Sequence, residues 1–158
     1  MGAINNAFNQ AAGAVAGAGL AIKHAKETEE SKMNTADSTA LVARNQYRSA
    51  KAEANEAVNE VKKDGGLNFQ LAEAETAEDE ARKAFNKAVD RKNSSTTTIL
   101  NKMTELKAAK KATQALREKI QAVEDLQKRA TEQRVYAEKA TTMALKAREK
   151  FEKHWGVK

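Results

Sequence analysis

No proline occurs anywhere in the 158 residues. Proline is the strongest helix breaker, because its ring clashes with the preceding turn and its nitrogen has no proton to donate. A chain of this length without one is free to form very long helices, and its apolar spacing asks for them. Ala36, Ala40, Ala43, Tyr47, Ala50, Ala54, Ala57 and Val61 step by four and three in strict alternation, the repeat of a coiled-coil seam. Most of that seam is alanine, so a partner helix can approach unusually closely. No stretch alternates apolar and polar with the period of two that a strand needs. The sequence predicts an all-α protein: a long antiparallel helical hairpin or elongated coiled-coil bundle, preceded by an apolar N-terminal helix.

Punctuation divides the chain. Lys62-Lys63-Asp64-Gly65-Gly66 places cations in a last helical turn and glycines after it, a helix stop and a turn. A second seam follows: Leu67, Leu71, Ala74, Glu78, Ala81, Phe85, Ala88. Asn93-Ser94-Ser95-Thr96-Thr97-Thr98 then combines weak helix propensity with capping chemistry. It reads as a kink in one returning helix over 67–153 or as a break between two. Continuity is slightly favoured, since neither glycine nor proline enforces a stop. The last seam starts at Ile99 and takes in Met103, Leu106, Ala109, Thr113, Leu116, Ile120, Val123, Leu126, Ala130, Ala137, Ala140, Ala144, Ala147 and Phe151. Paired three-residue steps at 103–106–109 and 120–123–126 make it less regular than the first. The expected organisation is an apolar helix at 1–22, a polar joint at 23–38, a first coiled-coil helix at 39–63, the return at 67–153 and a tail at 154–158. Within 23–38 either a helix runs through or a break lies near Asn34–Ser38, where Thr35, Asp37 and Ser38 could cap. The seam is best represented by Ala40, Tyr47, Ala54, Val61, Leu71, Phe85, Leu106, Leu116, Ile120 and Val123.

Residues 1–22 stand apart. They contain no charged side chain, and 11–22 is a continuous Ala/Gly-rich apolar run. The bulkier residues recur as Ile4, Phe8, Ala11, Val15, Ala18 and Ile22, one stripe of a helix. Gly13 and Gly17 form a Gly-x-x-x-Gly step that lets helix backbones approach closely. Twelve apolar residues are too few to span a bilayer, which takes about 20. Ile4, Phe8, Val15, Leu20 and Ile22 are therefore candidates for docking on a membrane interface or a protein partner. No Lys or Arg precedes the run, so a secretory leader is not expected.

Charge is uneven. Residues 1–66 balance eight basic against eight acidic side chains, whereas residues 99–158 hold fifteen against eight. That basic last third suits DNA, an anionic membrane or an acidic partner, or is a solvated helix face. Catalytic chemistry is sparse. Cysteine is absent and the two histidines, His24 and His154, are far apart in sequence. Gly65-Gly66 lacks the Lys-Ser/Thr of a phosphate loop, and Glu78-Asp79-Glu80 reads as a solvated helix face. No enzyme activity, cofactor, metal or small-molecule substrate is expected.

An apolar Gly/Ala-rich helix at Gly2–Ile22, followed by a Lys/Ala/Glu/Asn-rich helical body without proline or cysteine, resembles the small internal virion proteins, or ejection proteins, of tailed bacteriophages. It is also similar in plan to the microvirus DNA pilot proteins, with their Met-x-Gly-Ala-Ile-like start. The resemblance implies a protein packaged in the capsid or at the portal. It would oligomerise with itself and other virion proteins, and help carry the genome through the host envelope. A purely structural scaffold and a basic nucleic-acid-binding rod are the other readings the sequence permits.

Overall fold

The structure is a computed structural model that describes residues 2–156, with side chains described from Gly17 onward. It contains three helices: α1 (Gly2–Lys62), α2 (Leu67–Asp90) and α3 (Thr96–Trp155), with no strand among the described residues. The all-α expectation holds. Two of the expected divisions do not.

The polar joint at 23–38 is absent, because α1 passes through it uninterrupted. The would-be cap Thr35 turns its hydroxyl back to donate to the Ser31 carbonyl at 2.9 Å, and Thr28 and Thr39 do the same to His24 and Thr35. A hydroxyl satisfied inside its own helix does not nucleate a helix start. The second correction is at 91–95, where the favoured continuity gives way to a break. The Arg91 N–H donates to the Lys87 carbonyl at 3.2 Å, closing α2. Ser95 then caps α3: its Oγ accepts from the Thr98 N–H at 3.2 Å and lies 2.8 Å from the Thr98 hydroxyl. Capping chemistry alone, without glycine or proline, was enough to end one helix and start another.

The turn at 63–66 matches expectation, and its two glycines serve different ends. Gly65 has φ +70°, a left-handed conformation that strains any residue with a Cβ. Gly66 has an ordinary φ, but a Cβ there would lie 2.5 Å from the Glu60 carbonyl oxygen and 2.8 Å from that of Lys63. Both are backbone atoms, and the Lys63 carbonyl accepts the Gly66 N–H at 2.9 Å, so neither yields as a flexible side chain would. At the other end Gly156, at φ +65°, closes α3 with its N–H on the Glu152 carbonyl at 2.9 Å; α3 thus takes in the first two residues of the expected tail.

The chain forms two compact units: Met1–Tyr47 with Gln133–Lys158, and Arg48–Glu132. The first is a two-helix hairpin. Ala40 and Ala43 of α1 cluster with Ala137, Ala140 and Ala144 of α3, and Ala36 and Tyr47 pack against them. Asp37 pairs with Arg148 and, further toward the N-terminus, Glu29 pairs with Trp155. Partners thus descend α3 as they ascend α1, so the helices are antiparallel. The second unit holds the end of α1, all of α2 and the start of α3. Its buried residues are Ala54, Ala88, Leu106, Thr113 and Ala130. Thr113 is fully buried, and its hydroxyl donates to the Ala109 carbonyl at 3.1 Å.

Candidate docking surface

Every proposed seam residue faces inward. Ala40, Ala54 and Leu106 are buried; Tyr47, Val61, Leu71, Phe85, Leu116, Ile120 and Val123 are half-buried. The inward row of α3 also includes Gln133, which the sequence reading passed over between Ala130 and Ala137. Its Oε1 is buried and accepts no hydrogen bond. The skipped heptad position was the available signal; a glutamine there does not look apolar, yet the repeat requires it to point inward.

In the hairpin unit, the two flanks of the seam differ chemically. Residues that follow seam positions form a charged flank. Asp37 accepts from the Arg148 guanidinium at 2.7 Å, which raises the Arg148 pKa through that hydrogen bond first and charge attraction second. Near the end of α3, the Trp155 indole N–H donates to a Glu29 carboxylate oxygen at 2.9 Å, and Lys150 lies 4.0 Å from the other oxygen.

Residues that precede seam positions form the opposite flank. There Thr39 of α1 meets Tyr136 and Met143 of α3 along a groove of about 550 Å³, also lined by Thr35, Ala36 and Ala140. Met143 is 68% exposed and Tyr136 52%. The threonine hydroxyls are satisfied by their own helix carbonyls. The groove therefore offers methyl groups, an aromatic ring and a thioether with no buried hydroxyl that needs a partner. Lys32 and Lys139 stand at its rim. Met143 was not singled out from sequence, because it lies off the seam; Tyr136, also off the seam, stood out there only as one of few aromatics that could mark a membrane interface or stack on a base.

Beyond Glu29, α1 runs past the end of α3. Every residue from Gly17 to Thr28 is exposed, with Leu20 at 68% and Ile22 at 59%. Nothing lies within 4 Å of where a Gly17 Cβ would be, so within the chain its small size is unused. The docking candidates Ile4, Phe8 and Val15, and the packing candidate Gly13, fall outside the residues whose side chains are described. No helix is long and apolar enough to cross a membrane among the described residues.

Other chemistry is thin. Among the described residues no group of three or more His, Asp or Glu side chains could hold a metal ion. In the basic last third, Lys107, Lys110 and Lys111 are exposed and outside the ion pairs formed by Lys102 with Glu105 and by Arg117 with Glu75. Comparison with protein-family models, with curated proteins and with solved structures returned no match.

Proposed function

We propose that this chain is a non-enzymatic helical virion protein. It is carried in a phage capsid or at the portal and tail, and it acts in genome delivery across the host envelope. It oligomerises, and the N-terminal end of α1 engages a membrane or a portal partner. The observation that carries this reading is the exposed run from Gly17 to Thr28. Residues 17–22 of that run belong to the Ala/Gly-rich segment 1–22, which has no charged side chain, and they are held beyond the hairpin that anchors it. Exposing Leu20 and Ile22 to water gains nothing for a monomer, whereas burying each in lipid or protein contributes roughly 1.5–3 kcal/mol.

Dye release from anionic vesicles tests the membrane part, comparing the full chain with one lacking residues 1–22. The full chain should release dye and the shortened chain should not. Equal release, or none from either, removes membrane engagement and leaves a structural assembly protein. DNA is a second partner, favoured by the exposed Lys107, Lys110 and Lys111. Electrostatic binding of that kind weakens steeply as salt rises, and a flat salt response sinks it.

A further inference from the structure

We propose that the Tyr136/Met143 groove receives the N-terminal segment, residues 1–22, of a second copy of this chain, joining copies head to tail. The proposal rests on the oligomerisation part of the preceding reading and specifies its contact.

Among the described residues, two surfaces of the hairpin unit are left uncovered: the groove, and the end of α1 that carries Leu20 and Ile22. They cannot satisfy each other in cis. The end of α1 and the α1 wall of the groove lie on one uninterrupted helix, and Ile22 and Thr35 are held about 20 Å apart along it at 1.5 Å per residue. Folding the end back onto the groove would break that helix.

The segment and the groove match in chemistry. Residues 1–22 carry no charge, so they meet the rim cations Lys32 and Lys139 without repulsion. The basic last third of a second copy would be repelled by the same lysines. An Ala/Gly-rich helix brings its backbone close, which suits a floor of Ala36 and Ala140. Filling the groove also gives this two-helix unit a third helix, and helix bundles bury their seams by such additions.

The two surfaces are different patches, so the contact is heterologous. It repeats from copy to copy and yields a ring or an open filament rather than a closed dimer. That consequence gives the test. Leu20→Lys disables the segment and Met143→Lys disables the groove, because each puts a cation against the rim lysines. Both residues are exposed, and unchanged far-UV circular dichroism checks that the fold survives; Thr39→Lys is the substitute on the α1 wall of the same groove. Analytical ultracentrifugation of the full chain without lipid should show concentration-dependent assembly. Each variant alone should associate on the order of a hundredfold more weakly, since a charge would be buried unpaired.

The decisive sample is the mixture. Leu20→Lys retains its groove and Met143→Lys retains its segment, so together they should form a dimer and stop there. A wild-type chain that stays monomeric, a variant that assembles normally, or a mixture that stays monomeric would each overturn the proposal. Dye release by a monomeric wild-type chain overturns this contact and spares the membrane reading. Head-to-tail assembly without dye release does the reverse.

Discussion

The two units of this molecule solve one problem, burying a long helical seam, with different side chains. In the hairpin unit the central cluster is alanine, Ala40 and Ala43 with Ala137, Ala140 and Ala144, and Phe151 is the one large apolar side chain buried there among the described residues. In the other unit three helical segments gather, and the inward residues include Leu71, Phe85, Leu106, Leu116, Ile120 and Val123. Helix number accounts for the difference. Two helices touching along a line have no central space to fill, so small side chains let them close up. Three segments enclose a central space that only larger side chains fill to native density. The alanine solution buries little apolar area per residue, and it leaves Tyr136 and Met143 standing beside an open groove. An assembly contact is therefore expected on the hairpin unit rather than on the three-segment one.

Substitutions that exchange the two chemistries test this contrast. Trp155 is the sole tryptophan and belongs to the hairpin unit, so its emission follows that unit while circular dichroism averages over all helices. Leu106→Ala should have the largest effect, a loss of roughly 2–5 kcal/mol from a cavity in the three-segment unit. Its denaturation should show in circular dichroism before Trp155 emission changes. Ala43 is fully buried, so Ala43→Leu should push the hairpin helices apart and cost roughly 1–3 kcal/mol. There the tryptophan signal should move first. If both variants shift both signals equally, the units unfold as one and the contrast is only architectural.

Gln133→Leu should act in the opposite direction. It removes a buried acceptor without a donor from an otherwise apolar row, and chemical denaturation should show a gain of about 1 kcal/mol. No gain would mean that the amide is satisfied in solution. Asp37→Asn should have the smallest effect. The Asp37–Arg148 pair is partly solvated, so its loss should cost less than about 1 kcal/mol and vanish at high salt. A larger, salt-independent loss would make the charged flank a main source of hairpin stability.

The sequence reached far into the fold. Proline-free heptads dictated long helices, and the repeat named nearly every inward residue, because one face of a helix is fixed by 3.6 residues per turn. Gly65-Gly66 marked a turn, since a left-handed φ and a site with no room for a Cβ both demand glycine. Local chemistry was ambiguous where two outcomes used the same groups. Thr35 had the hydroxyl of a cap and bonded its own helix instead; Ser95 had the same group and did cap.

Tertiary structure alone decided which seams met. Nothing in the spacing of Ala40 says that it clusters with Ala137, Ala140 and Ala144, because periodicity fixes a face and not the partner. The groove follows from that pairing. Tyr136 and Met143 are ordinary exposed positions on an isolated helix, and they wall a cleft only once α1 lies antiparallel beside α3. The segment proposed to dock was legible from the start as a run without charged side chains; that α1 runs past its hairpin depended on where α3 ends, at Trp155 opposite Glu29.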